Sequence, residues 1–354
     1  MTHITIYITE DSLIMELKHG INLGGFLSQC EHTDEHHRSF ITEEDIKWIS
    51  LQGFDHVRLP IDYEVLEDSY GIEKGLGYEI VEEIINTAKK YDLNIILDLH
   101  KAPGYDFNDA GDAEKNNLFR DPALQHRFLN LWTNIVKHFA HHKNVAFELL
   151  NEVVETENTT AWNSLIARSV ATIREYTKDS PIIYGGILWN SASTLKYLEK
   201  PQDENIYFTF HFYEPLIFTH QKAYWVKNMD METDVSYPAS KADYMIQCKK
   251  IGDQAGSILE TDFEYIDKEF MRSLMQEAIN AAKNAGAKLY CGEYGVIDQA
   301  PLPDTVRWFK DCCSLFNEYN IGSALWNYKE KDFGLIDAHY AQIRNELLQI
   351  LTEK

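Results

Sequence analysis

The sequence predicts an α/β protein: a closed (β/α)8, or TIM, barrel with an inserted subdomain after its sixth strand. Three observations carry that expectation. Eight short, largely apolar runs recur along the 354 residues, each before a helix or a helix-sized segment. That alternation gives a parallel sheet covered by helices, and eight repeats close it. The runs end in polar residues, and in such barrels the strand C-termini form the functional face. The chain is also longer than the roughly 250 residues a barrel commonly needs, and the surplus falls in one irregular stretch, 214–267. An open doubly wound sheet would more naturally carry a Gly-rich nucleotide turn, but Gly20-Ile21-Asn22-Leu23-Gly24-Gly25 is not GxGxxG.

The elements follow in order. Residues 1–18 alternate weakly through Ile4, Ile6 and Ile8 and are expected to form an N-terminal extension, a small hairpin that plugs or flanks the fold. Gly20–Gly25 is the first strand. Thr42 caps a helix to Ser50, with Glu43, Glu44 and Asp45 in its first turn and Gly53 as its stop. Phe54–Pro60 is a strand ending near Arg58. Ile80, Ile84, Ile85 and Ala88 mark a helix over 78–91. Asn94–His100 is the third strand, followed by a long loop. Asp121-Pro122 opens a helix to about His141, and Ala146-Phe147-Glu148-Leu149-Leu150 runs as the fourth strand into Asn151-Glu152. A helix over 160–178, a strand over 181–186, a short helix near 193–198 and a strand over 205–213 follow. Residues 214–267 carry Phe218, Tyr224, Trp225, Tyr237 and Tyr244 and are expected to roof the active-site face. A helix over 267–285, stopped by Gly286, leads to the seventh strand, Lys288–Gly295. A helix over 304–319, the eighth strand over 321–328 and a closing helix over 340–352 complete a single 1–354 domain.

Composition narrows the function. With 33 Lys+Arg against 56 Asp+Glu, the net charge is −23. Phosphate binding needs a basic face, so a nucleic-acid or anionic-membrane partner is not expected, and a neutral substrate is. No run of about 18 apolar residues would span a membrane. The first residues lack a basic region followed by an apolar core, and the five cysteines are odd in number with Cys312 and Cys313 adjacent. A cytoplasmic, reducing location is therefore the expectation.

The barrel face collects Arg58, His100, Asn151, Glu152, His211, Tyr213, Glu293 and Trp326. Two glutamates delivered by separate strand ends are what glycoside hydrolysis requires, one to protonate the leaving oxygen and one to attack or to activate water. Glu152 is the expected general acid, its pKa raised by the charge of Glu293, and Glu293 the nucleophile. Arg58 and the Tyr213 phenol would hold Glu293 ionised. Asn151 would bind the sugar 2-hydroxyl, His100 and His211 would bond hydroxyls or orient the carboxylates, and Trp326 would offer a ring face to a pyranose. No metal and no cofactor is needed for these steps. Cys291, two residues before Glu293, is expected on the same side of its strand, under the pocket. His32, His36 and His37, and His138, His141 and His142, read as solvated helix surface. Trp189, Asn190 and Trp225 are candidate sugar-stacking positions.

These residues sit in stretches that resemble glycoside hydrolase family 5, the cellulase family, and within it the clostridial endoglucanase branch. The likeness runs through GINLGG (20–25), FDHVRLP (54–60), LDLHKAPGY (97–105), AFELLNEVVE (146–155), FHFYEP (210–215), THQKAYW (219–225), LYCGEYGV (289–296) and WNYK (326–329). Where members often have Gly-Gly-Trp after the first strand, this chain has Gly24-Gly25-Phe26. The resemblance implies a (β/α)8 barrel and retaining double displacement on β-linked glycans. It implies Glu152 as acid/base, Glu293 as nucleophile, and Arg58, His100, Asn151, His211, Tyr213 and Trp326 in support. The expected function is hydrolysis of β-1,4-linked glucan or gluco-oligosaccharides. The alternative is an exo-acting β-mannosidase or β-glucosidase on imported oligosaccharides. A metal-dependent barrel hydrolase would want His-x-His where Asn22-Leu23-Gly24 stands, and a noncatalytic sugar-binding barrel should lack one of the carboxylates.

Overall fold

The computed structural model describes residues 15–353. Eight parallel strands close into one barrel in sequence order. They are β1 (His19–Asn22), β2 (His56–Asp62), β3 (Asn94–Lys101), β4 (Val145–Glu148), β5 (Ile182–Gly185), β6 (Ile206–Phe212), β7 (Lys288–Tyr294) and β8 (Gly322–Leu325). Helices cover the outside, among them Gly75–Lys90, Pro122–Phe139, Thr159–Arg174, Lys268–Ala285 and Leu302–Tyr319. Their starts and stops follow local chemistry. Thr42 and Asp45 form a reciprocal capping box for Glu43–Leu51. Asp121 accepts from the Ala123 N–H with Pro122 at the first helical position. Gly286 ends Lys268–Ala285 in the left-handed region, which glycine occupies without penalty.

Alternation along the strands fills the barrel in layers. Ile96, Ala146, Ile183, Tyr207, Tyr290 and Ala324 form an apolar floor, closed by Leu17 with Met15 against it. Two residues further along β3, β4 and β6 come Asp98, Glu148 and Thr209, joined from β2 by Arg58, all fully buried. Two further again come His100 and His211, at the mouth. The N-terminal hairpin expected over 1–18 lies almost entirely outside the described residues, which reach only its last four positions.

Several boundaries differ from the sequence reading, and the differences matter for the site. β2 runs to Asp62, so Arg58 lies inside the barrel and not at its rim. β4 stops at Glu148, so Asn151 and Glu152 stand on the loop beyond it. The stretch 214–267 contains short helices, the helix Lys241–Ile251 and a two-stranded antiparallel ribbon pairing Ala239–Ser240 with Tyr265–Ile266. It is tied to the helix Leu302–Tyr319 by Tyr237, whose N–H donates to Asp304 and whose hydroxyl donates to Asp311. The two histidine clusters are not simply solvated surface. His37 and His142 are buried, and His142 faces Glu82 at 2.9 Å. Among the described residues no helix is long and apolar enough to cross a membrane.

Candidate active site

Arg58 organises the middle layer. Its Nε and Nη2 donate to the two oxygens of Glu148 at 2.7 and 3.0 Å. Nη2 also reaches Asn151 Oδ1 at 2.8 Å and Asp98 Oδ2 at 3.1 Å, and Nη1 reaches Asn22 Oδ1 at 2.9 Å and Glu293 Oε1 at 2.8 Å. The guanidinium is thus fully engaged in a buried, planar fork, a geometry lysine cannot reproduce. Glu148, Asp98 and Asn22 were not singled out in the sequence. Their signal was present as polar residues at inward positions of otherwise apolar strands: Asp98 two before His100, Glu148 two after Ala146.

Glu293 enters the barrel through a β-bulge. The register between β6 and β7 shifts so that Phe210 faces Cys291 while His211 faces Glu293, leaving Gly292 unpaired. A Cβ on Gly292 would stand 2.9 Å from Thr209 Oγ1 and 3.1 Å from His211 Nε2, so glycine is what the bulge accommodates. The bulge also overturns the expectation for Cys291. Two residues apart no longer means the same face, and Cys291 packs in the outer core with Cys312 and Cys313 of the helix Leu302–Tyr319. On its other oxygen Glu293 accepts from the Tyr213 hydroxyl at 3.0 Å. Burial, reinforced by Glu293, holds the Tyr213 phenol far above its ordinary pKa, so it remains a donor.

Glu152 faces Glu293 with His211 between. His211 Nδ1 lies 2.6 Å from Glu152 Oε1 and 3.6 Å from Glu293 Oε2. One ligand-capable atom each from Glu152, His211 and Glu293 fall within 4.8 Å of one another. Burial lowers the pKa of His211 to about 4, so the ring is neutral. The Asn190 amide nitrogen sits 3.4 Å from His211 Nε2, which fits an acceptor there and the proton on Nδ1, pointing at Glu152. Burial raises the pKa of Glu152 to about 7. Burial, and not the charge of Glu293 invoked from the sequence, is therefore the main cause. With its side chain 11% exposed, Glu152 can still meet substrate.

The remaining predicted residues line the same mouth. Asn151 accepts from Arg58 through its amide oxygen at 2.8 Å. His100 Nδ1 lies 2.6 Å from Asp98 Oδ2, and its ring is parallel to that of Trp326, with centroids 6.0 Å apart and 5° between planes. Burial opposes the charged form of His100, but Asp98 outweighs it and the pKa is raised. Asn190 is not a stacking residue: it is buried, with its amide donating to the Asn151 carbonyl at 2.7 Å. Trp189 and Trp225 are 46% and 45% exposed.

A family model described as cellulase (glycosyl hydrolase family 5) matches residues 19–332. The chain belongs to the cellulase family. It is 39% identical over 346 residues to Endoglucanase C of Acetivibrio thermocellus, covering 96% of this chain and 99% of that protein. Cellodextrinase A of Ruminococcus flavefaciens is 35% identical over 303 residues, 85% of this chain and 82% of that one. The barrel superposes on a solved glycoside hydrolase with a TM-score of 0.77 at 23% identity, covering 96% of this chain and 99% of that chain, a likeness of fold. As a cellulase-family member it is a glycoside hydrolase.

Proposed function

We propose that this cellulase is a retaining β-1,4-glucan hydrolase that cleaves within soluble glucan chains, with Glu293 as nucleophile and Glu152 as acid/base. The observation that carries the reading is the close approach of the two glutamates. Carboxyl groups about 5–5.5 Å apart serve double displacement; here one oxygen of each glutamate lies within 4.8 Å of the other, and both approach the same His211 Nδ1, at 2.6 and 3.6 Å, which supports the closer spacing. Glu293 attacks the anomeric carbon while Glu152 gives its proton to the departing glycosidic oxygen. Glu152, now a carboxylate beside the neutral His211, then takes a proton from the water that releases the sugar from Glu293. Asn151 donates to the 2-hydroxyl, and Trp326 presents its ring to the pyranose. Trp225, 45% exposed and edge-on to His220, is a further candidate for stacking on the glucan chain. The substrate class is supported by the relatives, an endoglucanase and a cellodextrinase. Five unpaired cysteines support a reducing location.

Purified protein tested on aryl β-glucoside, aryl β-mannoside, aryl β-cellobioside, soluble β-glucan and mannan separates the readings. Cleavage of β-glucan and aryl β-cellobioside is expected. Activity confined to an aryl monosaccharide would overturn internal cleavage.

The raised pKa of Glu152 sets a pH profile. The acid must hold its proton, so kcat/KM is expected to be retained below about pH 7 and to fall above it, with Glu152→Gln losing that limb on substrates with activated leaving groups. Stability carries the same sign. A folded-state pKa raised from 4.5 favours folding below pH 4.5, and the advantage disappears as pH rises through about 7. Glu152→Gln is therefore expected to raise Tm relative to the parent at pH 8 more than at pH 4, measured by thermal unfolding.

Gly24 sets the place of Trp326. The Asn327 side chain accepts from the Gly24 N–H at 2.9 Å and donates to its carbonyl at 3.0 Å, and a Cβ on Gly24 would stand 2.6 Å from Trp326 Cη2. The indole is rigid, so it must move. Gly24→Ala is expected to lower kcat/KM on soluble β-glucan roughly 10- to 100-fold, the scale of a misplaced positioning group, with a shift in tryptophan fluorescence.

A further inference from the structure

The loop after β1 gathers three metal-ligating side chains within eight residues, in the spacing Cys30-x-His32-x4-His37. His32 Nδ1 lies 3.2 Å from His37 Nε2 and 3.7 Å from Cys30 Sγ. All three ligand atoms fall within 4.8 Å of one another. Zinc bonds of about 2.0–2.1 Å to nitrogen and 2.3 Å to sulfur in a tetrahedron imply edges of about 3.3 Å between nitrogens and 3.6 Å between nitrogen and sulfur. The two separations from His32 Nδ1 match those edges to within about 0.1 Å, and the third, between Cys30 Sγ and His37 Nε2, is under 4.8 Å.

The surroundings fit as well. The other nitrogen of His32, Nε2, lies 3.2 Å from Asp62 Oδ2. A carboxylate behind a ligating imidazole fixes its orientation and raises its basicity. Asp62 is itself buried and held by the Gln29 N–H at 3.1 Å. Thr33 caps the short helix Asp34–Ser39, which fixes His37 relative to His32. His37 is buried, Cys30 partly so, and the His32 side chain 24% exposed, which leaves a path for an ion and a solvent-facing fourth position. His36 is not part of the set; its Nε2 donates to the Gly25 carbonyl at 2.7 Å.

We propose that Cys30, His32 and His37 bind one zinc-class divalent cation, with water in the fourth position and Asp62 orienting His32. Burial keeps His37 neutral, with a pKa lowered to about 4, so one imidazole is ready to ligate. The hydrogen bond to Asp62 raises His32 to about 9. Ligation takes the histidines as neutral imidazoles and Cys30 as a thiolate, so binding is accompanied by proton release. The ion sits beside the mouth and outside the reaction. Gln29, the residue before Cys30, brings its side-chain amide to 3.4 Å from His100 Nε2, so a bound ion pins the loop that carries this contact.

The test uses the full chain, stripped with a chelator under reducing conditions and titrated with Co2+ and then Zn2+. One equivalent of Co2+ is expected to give visible bands of tetrahedral intensity and a thiolate-to-cobalt charge-transfer band, both removed by one equivalent of Zn2+. Cys30→Ser is expected to lose the charge-transfer band, and His37→Gln and Asp62→Asn to weaken Zn2+ binding, Asp62→Asn by roughly 10- to 100-fold. Absence of a thiolate band in the parent protein would overturn the proposal whatever the variants do. So would an unchanged titration in Cys30→Ser, which would place the ion elsewhere, for instance at Glu82, His141 and His142.

Discussion

Glu293→Ala is expected to reduce kcat on aryl β-cellobioside by at least about 10⁴-fold, the scale on which a covalent nucleophile matters. The fold should survive. Glu293 fills the mouth and not the floor, and its removal frees the Tyr213 hydroxyl and one N–H of Arg58 Nη1, which keeps its bond to Asn22. Added azide can occupy the space of the lost carboxylate and attack the anomeric carbon from the same side. The variant is therefore expected to regain turnover with azide and to form an α-glycosyl azide, followed by NMR. Glu152→Ala should behave differently. Loss of the acid costs about 10²- to 10⁴-fold on substrates with poor leaving groups and much less on activated aryl glycosides, whose oxygen departs unaided. Azide would then give the β-glycosyl product, because the Glu293 intermediate is still formed. An exchange of these two signatures between the variants would mean that the roles are reversed.

Arg58→Met is expected to be the most destabilising single change at the site. Its side chain is buried among Glu148, Asp98 and Glu293, with contacts of 2.7, 3.1 and 2.8 Å. Methionine fills much of the volume but leaves several carboxyl groups without their cation. Removing one partner of a buried ion pair costs about 3–5 kcal/mol, which for a chain of this size lowers Tm by something on the order of 5–10 °C. Arg58→Lys keeps the charge but not the fork. It is expected to recover part of the stability while losing activity, since one ammonium cannot bridge Glu148, Asn151 and Glu293 together. Thermal and urea unfolding of both variants, beside kcat/KM, checks this. A parent-like Tm for Arg58→Met would contradict the role given to the Arg58 network.

The barrel was legible because its signals are local. Apolar runs, Thr42, Asp121-Pro122 and Gly286 mark where elements start and stop, and their order dictates a parallel closed sheet. Most of the predicted site residues were legible because strand ends in such a sheet converge. What the sequence could not yield depends on register. Arg58 was placed at a strand end, but β2 continues four residues further, so its true partners, Glu148, Asp98 and Asn22, come from three other strands. Cys291 was placed beneath the pocket by counting in twos, and the bulge at Gly292 breaks that count. The cause of the raised pKa of Glu152 was likewise misjudged, since burial depends on packing that no motif encodes. Asn190 was read as a ligand contact when it is the brace for the Asn151 carbonyl. His32 and His37 read as surface because the turn that brings them together is set by Thr33 and by Asp62, which lies thirty residues beyond His32 in sequence.

The measurement that bears most directly on the two-glutamate mechanism is trapping of the covalent intermediate. A 2-deoxy-2-fluoro-β-cellobioside with a good leaving group slows both steps, and the leaving group lets the first proceed faster than the second. Mass spectrometry is expected to show one added fluorocellobiosyl group per chain, mapped by peptide digestion to Glu293, with activity returning as the label turns over. No adduct on a protein that remains active, or an adduct on another residue, would contradict the assignment of Glu293 as the nucleophile.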